Sequence, residues 1–193
     1  MADEWARKGG TQNSQPVFAF SDPSSPVEGS SAGLIRGPKG ISMSLHAEEL
    51  IAGNAYTIWF VIFNAPENCA TSPCGEPDIF NPETMTDVSF GGGNIAGNSS
   101  ITISGHKKVG DLSGSAMPFF NDLLGLDIPI FGLIDPWGAE VHLVLRSHGP
   151  KVPANMPDLI NSFDGGCTTF LDAGQVTDDP GECADSHFAI FQP

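Results

Sequence analysis

Eight consecutive residues, Tyr56-Thr-Ile-Trp-Phe-Val-Ile-Phe63, carry no charge and are almost entirely apolar, aromatic or β-branched. On the two-residue period of a strand both faces are apolar, which suits a central strand of a sandwich. The preceding segment, Ile41-Ser-Met-Ser-Leu-His-Ala47, alternates instead. Ile41, Met43, Leu45 and Ala47 fall on one face, and Ser42, Ser44 and His46 on the other. Gly53-Asn54 marks the turn between the two. Further strands are read at 87–90, 100–104, 139–147 and 185–191, the first two flanking a glycine-rich turn. Short helices are read at 119–124 and 156–163, with Gly165-Gly166 stopping the second.

Glycine and proline, 23 and 16 residues, make up about a fifth of the chain. That many backbone breakers exclude a helix bundle, and an apolar content of 40% excludes wholesale disorder. The expected fold is all-β: an antiparallel β-sandwich or barrel with one or two short helices and long loops. Residues 1–33 read differently. They form an arm rich in Ser, Pro, Gly and Gln, with one short strand at 16–20. The remaining 34–193 read as a single β-rich domain.

Acidic residues number 23 against 8 basic ones, a formal charge of −15. Such a field repels phosphate backbones and anionic lipid, which argues against nucleic-acid binding and membrane docking. The most apolar stretch, 117–137, is interrupted by Asp122, Asp127, Pro129, Asp135 and Pro136, so no membrane insertion is expected.

The four cysteines allow three connectivities. Their local spacing favours disulfides Cys69–Cys74 and Cys167–Cys183. The spacers are longer than those of zinc-binding pairs, and each lacks a nearby His. Disulfides imply an oxidising compartment, hence an extracellular or periplasmic address. No apolar segment of a signal peptide follows Met1-Ala-Asp-Glu, which leaves a chain whose signal has been removed or a cytosolic protein with free thiols; the first is the expectation.

Two catalytic patterns are present and lack their context. Gly91-Gly-Gly93-Asn-Ile-Ala96 matches a dinucleotide fingerprint, but a β-branched strand follows where a helix is needed; it reads as a hairpin loop. Gly29-Ser-Ser31-Ala-Gly33 matches a nucleophile elbow, yet lies in the arm. His142 and His148 share a strand face six residues apart, which at ~3.3 Å per residue is too far for one metal ion. Aromatic content is mostly Phe (13), with Trp5, Trp59, Trp137 and a single Tyr56, a poor basis for a sugar-stacking platform.

The strongest site candidate is the polar face of Ala139-Glu-Val-His-Leu-Val-Leu-Arg-Ser147. Glu140, His142, Arg146 and His148 share one side, with Val144 among them, while Val141, Leu143 and Leu145 face the core. A carboxylate beside an imidazole is half of general-base machinery, and Arg146 can clamp an anion or pair internally. The ordinary reading of the same face is cross-strand ion pairing. No cofactor is required. Calcium is the one ion suggested, through the oxygen-rich cluster Asp178, Asp179, Glu182 and Asp185, although no calcium-loop spacing is present and a solvated loop is the simpler account.

The segments Tyr56-Thr-Ile-Trp-Phe-Val-Ile-Phe-Asn-Ala-Pro-Glu-Asn-Cys69 and Ala139-Glu-Val-His-Leu-Val-Leu-Arg-Ser-His-Gly-Pro150, with Pro73-Cys74-Gly75 and Gly165-Gly-Cys167, resemble a group of uncharacterised secreted bacterial proteins of no known activity. The resemblance spans roughly 41–191. It implies secretion and paired cysteines, and carries over no catalytic residue.

Two functions from different classes follow. The first is an extracellular, non-enzymatic β-sandwich acting through protein–protein binding or self-assembly as a homo-oligomer. In it Val17, Phe18, Ala19 and Phe20 donate a strand to a neighbouring subunit, giving a filament or surface structure, and the apolar 117–137 stretch offers a second contact surface. The second is a small secreted enzyme doing acid–base chemistry with Glu140, His142 and Arg146. It requires those three side chains to converge in a concave, partly apolar pocket.

Overall fold

The structure, a computed structural model, describes residues 10–193. Their strands are β1 (Thr11–Gln15), β2 (Phe18–Ala19), β3 (Asp22–Pro26), β4 (Ser31–Gly37), β5 (Gly40–Ala47), β6 (Asn54–Phe63), β7 (Thr86–Ile95), β8 (Ile101–Lys108), β9 (Glu140–Pro150), β10 (Thr169–Phe170) and β11 (Glu182–Phe191). They form an all-β sandwich. One sheet has the order β1-β4-β5-β8; the other has the order β3-β2-β11-β9-β6-β7, with β10 beside β11. Every pairing is antiparallel except β10 with β11. One α-helix, α1 (Met117–Leu124), and several short 3-10 turns lie in the connections. No helix among the described residues is long and apolar enough to cross a membrane.

The alternation of β5 does what its pattern dictates. Ile41, Met43 and Leu45 point inward with Leu34, and meet Tyr56, Ile58, Phe60 and Ile62 of β6 and Val141, Leu143 and Leu145 of β9. The other face of β6 is buried too. Trp59, Val61 and Phe63 join Val88, Met117 and Ile128 in a second apolar cluster, against which Phe80, Phe120, Val144 and Phe163 pack. All ten residues of β6 are buried. The molecule is therefore a sheet, a second sheet, and a layer of loops with α1 over the second sheet's outer face.

The 1–33 arm is built into the fold over residues 11–33. Its first nine residues lie outside the described ones; from residue 11 onward it supplies strands to both sheets. Val17 is fully buried in the inter-sheet core. Phe18 pairs with Phe188 and Ala19 with His187 of the same chain, and the Phe20 amide donates to the Ser186 carbonyl. The residues expected to be donated to a neighbour are thus spent on their own sheet, because the adjacent edge of β11 is open to them and Val17 gains a core site.

Two further expectations change. Gly91–Gly93 lies inside β7 rather than in a hairpin loop. Glycine is required there by close approach: a Cβ on Gly93 would sit 2.0 Å from the Ile160 carbonyl oxygen, and one on Gly105 of β8 would sit 2.2 Å from that of Gly91. The helix read at 156–163 reduces to a 3-10 turn at Asp158–Ile160, since Pro157 disfavours the helical conformation at Met156.

One row across the first sheet, Arg36–Ile41–Lys107, puts two of the chain's few cations inside the sandwich. Arg36, 2% exposed, donates to the carbonyls of Ala139 at 2.8 Å and Gln192 at 3.0 Å, among others, tying the first sheet to the ends of β9 and β11. Lys107 donates to the Ser113 carbonyl at 2.9 Å and lies 3.9 Å from the buried Asp87 carboxylate. That carboxylate accepts from the Ser89 and Ser115 hydroxyls. Burial pulls the Lys107 ammonium below the ordinary lysine value, and Asp87 opposes the shift.

Candidate functional site

The outward face of β9 carries Glu140, His142, Val144, Arg146 and His148, and three of its polar members, Glu140, Arg146 and His148, each fasten a loop. Glu140, 2% exposed, accepts the Cys74 amide at 2.7 Å and so holds the Cys69–Cys74 loop against the sheet. Arg146 donates from Nε to the Phe163 carbonyl at 3.0 Å and from a terminal nitrogen to Asp185 at 2.7 Å. Its guanidinium lies over the Phe163 ring at 4.2 Å and the Phe170 ring at 5.5 Å. His148 donates from Nδ1 to the Gly165 carbonyl at 2.9 Å and accepts at Nε2 from the Thr57 hydroxyl at 2.7 Å. The Trp59 indole in turn donates to Thr57 at 2.8 Å. The roles in that chain follow from the carbonyl, which can only accept.

Both cysteine pairs expected from spacing stand at bonding distance, Cys69–Cys74 and Cys167–Cys183. Each closes a loop of the covering layer. Closing the second restricts the unfolded chain by about 3 kcal/mol on the chain-entropy account.

Beneath these loops is a cavity of about 670 Å³. That falls in the range of small-molecule sites. Its floor is the sheet: Trp59, Val61 and Phe63 of β6, Val88 of β7, His142 and Val144 of β9, and Phe188 and Ile190 of β11. Phe20, Ile79, Phe80, Phe120, Phe163 and Leu171 wall it, and Glu76, Asp172 and Asp185 also border it. Trp59, Phe80, Phe120 and Phe163 form one connected set of rings, with Trp59 at 5.1 Å and Phe120 at 4.8 Å from Phe163.

His142 is the polar feature of the floor. Its Nε2 lies 2.7 Å from the Glu140 carboxylate, and its ring packs 5.1 Å from that of Phe63. An ionised carboxylate only accepts, so Nε2 carries the proton in the neutral ring. Nδ1 then has a free lone pair and no partner among the described residues. The imidazole is oriented from beneath and offers one acceptor.

Of the three residues singled out as a catalytic set, the structure joins Glu140 to His142 and places His142 on the cavity. Arg146 does not line it; both of its ends are engaged in the wall behind Phe163. The acidic cluster is not gathered either. Asp185 pairs with Arg146, Glu182 accepts from the Thr177 hydroxyl, and Asp178 and Asp179 are exposed. Among the described residues, the groups with three metal-capable atoms within 4.8 Å of one another are His148 with Cys167 and Cys183, and Cys69 with Cys74 and Asp78. Their sulfurs are in disulfides, so neither offers thiolates. Trp59, Val144, Phe163 and Phe188 were not marked as site residues by the sequence. For Trp59 the signal was there, in the apolar outer face of β6; for Phe163, on a loop, there was none.

No protein-family model, curated protein or solved structure matches the chain. Fold and site define an all-β sandwich with a loop-covered aromatic cavity on one sheet.

Burial pushes the His148 imidazole down to about 4 from 6.5, with the Arg146 charge adding to the effect. His187 is likewise pushed to about 4 by burial. A base with a depressed folded value is protonated first in the unfolded chain, so stability falls as pH drops from about 6.5 to about 4 and this loss ends below that. At roughly 1.4 kcal/mol per pH unit, His148 alone accounts for about 3 kcal/mol. Urea unfolding at stepped pH is expected to show that decline, and the His148→Gln variant a shallower one.

Proposed function

We propose that this protein is an extracytoplasmic binding protein that holds a small, largely apolar molecule in the cavity on the outer face of the second sheet. The observation that carries this reading is the cavity itself: about 670 Å³, walled mainly by aromatic and aliphatic side chains, with a single imidazole oriented by a buried carboxylate. That is the composition of a recognition site, apolar area for affinity and one placed polar group for orientation. The lining includes no serine, threonine, lysine or tyrosine, and its cysteine is in a disulfide. This favours binding over nucleophilic catalysis, although the Glu140–His142 pair retains the make-up of a general base. The two disulfides support an oxidising compartment.

The test uses N-phenyl-1-naphthylamine, a neutral fluorophore that brightens in apolar surroundings. One saturable site is expected. Val144→Phe, which fills the floor, is expected to weaken binding about tenfold or more with the near-ultraviolet circular dichroism unchanged. Unaltered binding by the variant, or no saturable binding by the parent, contradicts the reading.

A second reading is favoured by three exposed leucines at the end of α1. Leu123, Leu124 and Leu126 are 59%, 50% and 38% exposed, an apolar corner of the kind that marks a contact surface. Self-association through this corner takes the place of strand donation. Light scattering is expected to show mass rising with concentration, and Leu123→Glu with Leu124→Glu to abolish the rise. A constant monomer in the parent protein contradicts it.

A further inference from the structure

We infer that the occupant of this cavity is a small organic cation: a primary or secondary ammonium attached to an aromatic or aliphatic body. The inference rests on the binding reading above and names its ligand class. Three carboxylates border the cavity, Glu76, Asp172 and Asp185, and no lysine or arginine does. Asp185 is neutralised by Arg146, whereas Glu76 and Asp172 have no cationic partner among the described residues. The local field is therefore negative, as is that of the whole chain at −15, and it draws cations toward the opening while repelling anions.

The aromatic wall already shows what it does with a cation. The Arg146 guanidinium sits over the Phe163 ring at 4.2 Å, and Phe163 also lines the cavity. A ring face attracts a cation through its quadrupole, more strongly where water is excluded. Trp59, the best ring for this purpose, stands edge-on to Phe163 in the floor. Its N–H is spent on Thr57, so it offers the ligand π surface and no hydrogen bond.

His142 narrows the class. In its neutral form, with Nε2–H donated to Glu140, the His142 ring keeps a lone pair on Nδ1, which accepts from an N–H. A primary or secondary ammonium supplies that donor; a quaternary ammonium does not. A carboxylate or phosphate ligand would face an acceptor nitrogen and an acidic border with no cation to receive it.

The experiment is calorimetric titration, at neutral pH and low salt, with probes sharing one body: 2-phenylethylammonium, its N-trimethyl analogue, 2-phenylethanol and 3-phenylpropanoate. The ammonium is expected to bind at least about tenfold more tightly than the alcohol, with the trimethyl analogue between them and the carboxylate weakest. Raising salt is expected to erode the ammonium's advantage. The Glu76→Gln, Asp172→Asn double variant is expected to erode it likewise and leave the alcohol's affinity unchanged. Alcohol binding as tight as ammonium, or tightest binding by the carboxylate, overturns the cation inference and leaves the cavity reading standing. A trimethyl analogue as tight as the primary ammonium overturns the role given to Nδ1. No binding by any probe at millimolar concentration overturns both inference and reading.

Discussion

The structure turns on the burial of β6 on both faces. A strand with Tyr56, Ile58, Phe60 and Ile62 on one side and Trp59, Val61 and Phe63 on the other cannot leave either side to water. In a two-sheet sandwich only the inner side is provided for. The outer side has to be covered by something else, and here it is covered by loops and one short helix. Loops do not interdigitate with a sheet as a second sheet does. A covering of this kind leaves space, and the aromatic cavity is that space.

Holding such a layer in place needs more than apolar contact, because loops carry backbone groups that must be satisfied. The outward face of β9 supplies the partners in sequence: Glu140 for the Cys74 amide, Arg146 for the Phe163 carbonyl, His148 for the Gly165 carbonyl. The two disulfides close loops of the same layer. The inner side is fastened in a comparable way, with Arg36 and Lys107 crossing from the first sheet to the second. The result leaves His142 as the member of the β9 face whose ring has a free nitrogen, while its neighbours serve as fasteners. With so many of the chain's few cations buried in these roles, the surface is left strongly acidic.

Much of this was legible beforehand, and the parts that were not share a cause. The alternation at 41–47, the two-faced apolar run at 56–63 and the division of 139–147 into core and outward faces all rest on strand periodicity, and each lies in a strand. The pairing of the cysteines followed from local spacing. By contrast, the arm, the glycine run and the segment 156–163 were read by local composition, and tertiary contact overrode it. Serine and proline suggest a linker, yet Val17 finds a core site and Phe18 stacks on Phe188. Consecutive glycines suggest a hairpin, yet here they let Ile160 and β8 approach the β7 backbone. The Glu140–His142 pair was visible because its members are two residues apart in one strand. The cavity was not, since Phe20, Phe80, Phe120, Phe163 and Phe188 come from five separate regions and meet only in the folded chain. The acidic residues at 178–185 were adjacent in sequence and turn different ways in space.

The account predicts an apolar face that is filled by its own chain only in part, beside a second apolar face that is filled completely. Methyl resonances separate the two, because valine, leucine and isoleucine occur on both. In a titration of methyl-labelled protein with 2-phenylethylammonium, shifts and ligand contacts are expected at Val61, Val88, Val144 and Ile190, and none at Ile41, Leu45 and Leu143 between the sheets. Shifts confined to Leu123 and Leu124, or no shifts at the four outer-face methyls, would contradict it.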